Sequence, residues 1–201
     1  MITRLVVLLF VLLPNAALAA TILVFGDSLS AGYGVPIEQS WVSLLERKLH
    51  GVAPDYKVLN ASVSGETTSG GRARIEGALK THRPDIVILG LGGNDGLRGQ
   101  SLESMRANLE AIIKACRGVK SEVLLIGMRL PPNYGPAYTE KFQQVYADLA
   151  RQYKLASVPF LLEGFAEKEE YFQPDGIHPT ARAQPVIAET VWKALRPLLK
   201  R

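Results

Sequence analysis

Three stretches of the chain, residues 21–25, 86–89 and 123–126, are almost uninterrupted apolar runs, and each leads into a glycine. Runs of this length bounded by turn residues predict strands covered on both faces, and so a parallel sheet. Shorter strands are expected at residues 57–61 and 157–160. Between these runs the apolar spacing changes to that of helices. Trp41, Leu44, Leu45 and Leu49 share one face, and Phe142, Val145, Tyr146, Leu149 and Tyr153 share another. Leu102, Met105, Leu109, Ile112, Ile113 and Cys116 form a 3-4 stripe behind Ser101, a natural N-cap. A last helix is expected over residues 181–199, with Pro185 tolerable in its first turn. Strand and helix alternate about five times, which predicts a three-layer α/β/α sandwich around a roughly five-stranded parallel sheet.

That architecture makes the loops informative. In an open α/β sheet, ligands bind beyond the carboxyl ends of the strands. Ser28 follows the first predicted strand, "SVSGETT" the second and "GLGGNDG" the third. Three polar, glycine-bearing loops should therefore converge on one edge.

The chain's beginning does not fit the alternation. Arg4 precedes an apolar run over residues 5–13, and Ala17-Leu18-Ala19 supplies small residues for cleavage. This pattern predicts a secretory signal peptide over residues 1–19 and a single domain over residues 20–201, periplasmic or secreted. The apolar run is too short to span a bilayer. Cys116 is the only cysteine, so no internal disulfide can form. The net charge of +4 falls to +3 without Arg4 and is spread along the chain, so no nucleic-acid partner is expected.

A serine at the end of a strand is most often a turn cap. To act as a nucleophile, Ser28 needs a base, and the chain offers three histidines. His50 and His82 sit where helix ends favour a cation. His178 lies in "PDGIHPT", three residues after Asp175, whose carboxylate could orient the imidazole. The Asp-Gly pair would also explain a plain turn. Gly65 N–H, the Asn94 amide and Ser28 N–H are candidate donors to an oxyanion, with tight turns as the plainer explanation. Asp27 and Asp95 are expected to support their loops through bonds to backbone.

The blocks "FGDSLSAGYG", "NASVSGETTSGG", "LGGNDGLRG" and "DGIHPT" resemble, in order, the four sequence blocks of the SGNH hydrolases, or GDSL esterases/lipases. The likeness is strongest to the family's bacterial multifunctional branch of acyl-CoA thioesterases, lysophospholipases and arylesterases. It implies a flavodoxin-like fold. It puts the nucleophile at Ser28, the oxyanion glycine at Gly65, the oxyanion asparagine at Asn94, and the acid and base at Asp175 and His178. "MRLPPNYGPAY" resembles the loop lining the family's acyl site, making Leu130, Pro131 and Tyr134 candidates for acyl contact. "GLRGQ" (96–100) resembles a mobile segment beside the site. Either could equally be a rigid surface turn.

The implied function is an exported serine hydrolase. It would cleave carboxylic esters, and acyl thioesters or lysophospholipids, as a monomer without cofactor or metal. A catalytically silent carbohydrate- or lipid-binding module on the same scaffold is the alternative. Other classes fit poorly. Asp95 stands where a dinucleotide fingerprint needs its third glycine. The histidines are dispersed, unlike a zinc site. The nucleophile is not on the G-x-S-x-G elbow of α/β-hydrolases.

Overall fold

The computed structural model describes residues 19–199. The predicted leader lies outside the described residues except for Ala19. The elements in chain order are β1 (Ala20–Gly26), α1 (Ser28–Ala31), α2 (Trp41–Val52), β2 (Tyr56–Asn60), α3 (Thr68–His82), β3 (Ile86–Gly90), α4 (Gly93–Leu97), α5 (Leu102–Gly118), β4 (Glu122–Ile126), α6 (Pro136–Tyr153), β5 (Ala156–Val158) and α7 (Gln184–Leu195). All strand pairings are parallel, in the order β2-β1-β3-β4-β5. This is the flavodoxin-like order, which reverses direction beside β1.

Strand geometry explains the three layers. Alternate residues of a strand point to opposite faces. Ile22, Val24, Ile86, Ile88, Leu124 and Ile126 face α2 and α7. Leu23, Phe25, Val87, Leu89, Val123 and Leu125 face α3, α5 and α6. Both faces are sealed, which is why these strands read as solid apolar runs. Each large side chain withdrawn from water contributes about 1.5–3 kcal/mol.

Several boundaries differ from the sequence reading. The last strand ends at Val158 rather than residue 160, because Pro159 has no N–H for the ladder. Phe160 is nonetheless buried against α2 and α7. The last helix is confined to Gln184–Leu195 and flanked by 3-10 turns at Ala181–Ala183 and Arg196–Leu198. Pro197, lacking a donor, sits in the second of these turns. Helix α3 has only a thin stripe of Thr68, Gly71, Ile75 and Leu79 facing inward. Gly71 is small of necessity: a Cβ there would run into Leu91 and lie 3.3 Å from Phe25.

The reversal beside β1 decides where a ligand can go. Strands β2 and β3 flank β1, so the connections leaving all three emerge side by side. His50 and His82 lie in the last turns of α2 and α3, at the opposite edge of the sheet.

Candidate active site

Helix α1 begins where β1 stops. Asp27 caps it, Oδ1 accepting the Leu29 N–H at 3.0 Å, and Gly32 ends it with φ +77°. The short helix is held from several directions. Trp41 Nε1 donates to Leu29 O at 3.0 Å, and Asn60 Nδ2 at the end of β2 donates to Ser30 O at 2.7 Å. Gly26 lets the helix close on the sheet, since a Cβ there would lie 2.8 Å from Ser30 Oγ and 3.0 Å from Gly90 O. Ser28 is thus buried in a rigid seat, with its hydroxyl facing the loop ahead of α7.

That loop is a surface hairpin closed by an antiparallel bridge between Phe172 and Pro179. At its tip Asp175 does two jobs. Its Oδ1 accepts the N–H groups of Ile177 and His178, both at 2.9 Å, which builds the turn, and Gly176 supplies the required φ of +68°. Its Oδ2 lies 2.7 Å from His178 Nδ1. The turn and the acid–imidazole pair are therefore two uses of one carboxylate. Desolvation would raise its pKa, but the His178 N–H and ring, with the Ile177 N–H, outweigh it and bring the carboxyl down to about 2. An ionised carboxylate can only accept, so Nδ1 carries the proton and donates. In the neutral ring Nε2 then accepts from Ser28 Oγ, 2.9 Å away. The Tyr33 ring packs against the imidazole with centroids 4.5 Å apart.

The other two loops meet beside Ser28. Val63 N–H donates to Gly26 O at 3.0 Å, drawing the β2–α3 loop over the end of β1. In that loop Gly65 takes φ +76°. Asn94 Nδ2 donates to Glu66 O at 3.0 Å. Its neighbour Asp95 is almost fully buried and accepts from Thr68 N at 2.9 Å and from Thr68 Oγ1 at 2.5 Å. Asn108 Nδ2 adds a bond to Thr68 Oγ1 at 3.2 Å. The Gly65 and Asn94 loops are thus stapled to each other. As expected, Asp27 and Asp95 support backbone.

Asp27 carries a further property. Burial lifts its pKa from 3.8 to about 6, despite the Leu29 N–H and attraction to His178, and repulsion from Glu66 adds to the rise. The remaining candidates lie further out. Leu130 joins the core behind α4, Tyr134 is half-buried with its hydroxyl donating to Leu97 O at 2.9 Å, and Pro131 is exposed. In the segment at 96–100, Gln100 N–H bonds Asp95 O at 2.9 Å and Arg98 Nη2 bonds Gly65 O at 3.1 Å. Among the described residues, no group of three or more His, Cys, Asp or Glu side chains could hold a metal ion. Sequence reasoning missed Glu66, Tyr33 and Gln173 around the site. The contacts they make with the site residues use backbone carbonyls or ring faces, which leave no pattern in the chain.

A hydroxyl, an imidazole and a carboxylate in series at the carboxyl edge of a parallel sheet is the arrangement of a hydrolase. Residues 24–184 match the model of the GDSL-like lipase/acylhydrolase family. The chain belongs to that family. Esterase TesA of Pseudomonas aeruginosa is 47% identical over 192 residues, covering 96% of each chain. Thioesterase 1/protease 1/lysophospholipase L1 of Escherichia coli is 42% identical over 185 residues, covering 92% of this chain and 88% of the relative. A crystal structure of TesA superposes with a TM-score of 0.87 at 47% identity, covering 89% of this chain and 99% of that one.

Proposed function

We propose that the mature chain is an exported serine hydrolase cleaving carboxylic esters and acyl thioesters, lysophospholipids included. The observation carrying this reading is the continuous series from Asp175 Oδ2 through His178 to Ser28 Oγ, with contacts of 2.7 and 2.9 Å. In the reaction, Ser28 Oγ attacks the acyl carbon as its proton passes to His178 Nε2. Asp175 fixes the tautomer and stabilises the imidazolium. The carbonyl oxygen takes up the negative charge, held by the N–H groups of Ser28 and Gly65 and by an Asn94 amide hydrogen. One Asn94 N–H is engaged by Glu66 O, which aims the side chain and leaves the other free to donate. Imidazolium then protonates the departing alkoxide or thiolate, leaving an acyl-serine. Water, deprotonated by the same imidazole, attacks the acyl-serine and releases the acid.

The relatives' names, esterase and thioesterase/lysophospholipase, support esters, thioesters and lysophospholipids as the substrate class. Leu130, Pro131 and Tyr134 are proposed to meet the acyl chain. Export rests on the charge, apolar core and small-residue pattern of residues 1–19. Among the described residues no helix is long and apolar enough to cross a membrane. The mature enzyme is proposed to act as a monomer in the periplasm or outside the cell, without cofactor.

The test is a panel of acyl lengths on ester and thioester leaving groups, with purified mature protein and Ser28→Ala. Turnover is expected for the parent, and a loss of about a thousandfold or more in the variant. Near-parental activity in Ser28→Ala would refute the mechanism. A silent parent across pH would favour the binding module.

A further inference from the structure

The two halves of the site meet from very different settings. Ser28 is buried just past the end of β1, whereas Pro174, Asp175, Gly176 and Ile177 are exposed. The partners across the 2.9 Å contact stand 150 residues apart in the chain. Apolar burial does little for so exposed a hairpin tip, so directional bonds must hold it in place.

Gln173 makes those bonds. Its main chain brackets the tip: its N–H donates to His178 O at 2.8 Å and its carbonyl accepts the Gly176 N–H at 2.9 Å. Its side-chain Nε2 donates to Pro179 O at 3.1 Å and, out of the hairpin, to Tyr33 O at 2.8 Å. Tyr33 returns the connection, its own N–H donating to Ser28 O at 3.1 Å. The result is a closed ring of bonded residues, Ser28 to Tyr33 to Gln173 to His178 and back to Ser28. Gly34 leaves room for it, because a Cβ there would overlap the Gln173 amide, and the residue sits at φ +69°. The Tyr33 ring lies against the imidazole inside the same ring of contacts.

We propose that Gln173 is a positioning residue that clamps the acid–base hairpin to the nucleophile segment and so sets the Ser28–His178 separation. The amide suits the task because both of its N–H groups can donate, and it has two carbonyls to satisfy. A leucine would fill similar space with no donor. An ionised glutamate would set acceptor against acceptor, while its protonated form regains one donor.

The proposal rests on the serine hydrolase reading, and the two can fail separately. The experiment compares the parent, Gln173→Leu and Gln173→Glu for kcat and KM on a short-chain 4-nitrophenyl ester across pH. Thermal melts and the downfield proton resonance of the His178 Nδ1–H are recorded alongside. Gln173→Leu should lose about 10- to 100-fold in kcat with KM within about threefold, as expected for a small misplacement of catalytic groups. Its imidazole resonance should broaden or vanish while the protein stays folded. Gln173→Glu should show a pH profile displaced from the parent's, its deficit shrinking as the carboxyl takes up a proton. A kcat within twofold of parental and an unchanged resonance in Gln173→Leu would overturn the clamp, as would a loss confined to KM. Should that variant fail to fold, a parental pH profile in Gln173→Glu would overturn it instead. The resonance is read without turnover, so a parent that hydrolyses nothing refutes the catalytic reading and leaves the clamp to be judged on the spectrum.

Discussion

Replacing Asp27 by asparagine should stabilise the protein above pH 6 and do much less at pH 4. Asp27 is 5% exposed, and its carboxyl spends one oxygen on the Leu29 N–H at the start of α1. Burial raises its pKa from 3.8 to about 6. The folded state therefore holds this proton more tightly than the unfolded chain does. Between pH 3.8 and about 6 the native protein binds more protons, so stability falls as pH rises and stays lower above that window. At about 1.4 kcal/mol per pH unit, the rise corresponds to about 3 kcal/mol of penalty at neutral pH. Asparagine caps a helix as well as aspartate does but has no charge to bury. Its amide must still be accommodated, so the expected gain is about 1–3 kcal/mol at pH 8. Urea unfolding of both proteins at pH 4 and pH 8 measures it, and the difference of differences isolates Asp27. The Asp175 carboxyl, held down at about 2, contributes stability above pH 3.8 that is lost as pH falls towards 2, but it does so in both proteins and cancels. Equal stability differences at the two pH values, or a larger gain at pH 4, would refute the reasoning. The ionised Asp27 attracts a protonated His178. The same variant should therefore lower kcat, stability gained at the cost of function.

Asn94→Ala should lower kcat about a hundredfold with the fold intact; parental kcat and kcat/KM would make Asn94 a turn residue only. Thr68→Val removes the hydroxyl bonded to the buried Asp95, and should cost about 1–3 kcal/mol in urea melts together with a fall in kcat. Thr68→Ser should restore most of both, and a silent Thr68→Val would show that the staple between the two loops is dispensable. The Cys116 thiol is buried and pushed up to about 12, so a chromogenic thiol reagent at pH 8 should react only as the protein unfolds in denaturant; fast reaction of the native protein would contradict its place in the core.

Much of the fold was legible because both faces of the sheet are covered. Past Thr21 and Glu122 near their starts, strands β1 and β4, like β3, run apolar into a glycine, and α2, α5 and α6 need one unbroken apolar stripe, so each announced itself. Helix α3 did not. Its inward face spends one position on Gly71, where Phe25 and Leu91 press close, and that demand comes from partners distant in the chain. Strand β5 and the C-terminal end of α7 stop short of their apolar runs at Pro159 and Pro197, where a missing donor outweighs apolar pattern.

The site divides in the same way. Asp175 and His178 are three residues apart, and an aspartate followed by glycine folds back on itself through bonds that span no more than a turn. That half was determined locally, by the sequence alone. So were the four blocks whose order resembles the family. What the chain could not state was that the imidazole would come within 2.9 Å of a serine 150 residues earlier, or that Gln173 would reach Tyr33 across 140 residues. Nor could it state that Asp27 would lose enough solvent to lift its pKa to about 6. Local bonds follow from neighbours in sequence, whereas burial and long-range contact follow from how strands and helices pack, and only the tertiary structure decided those.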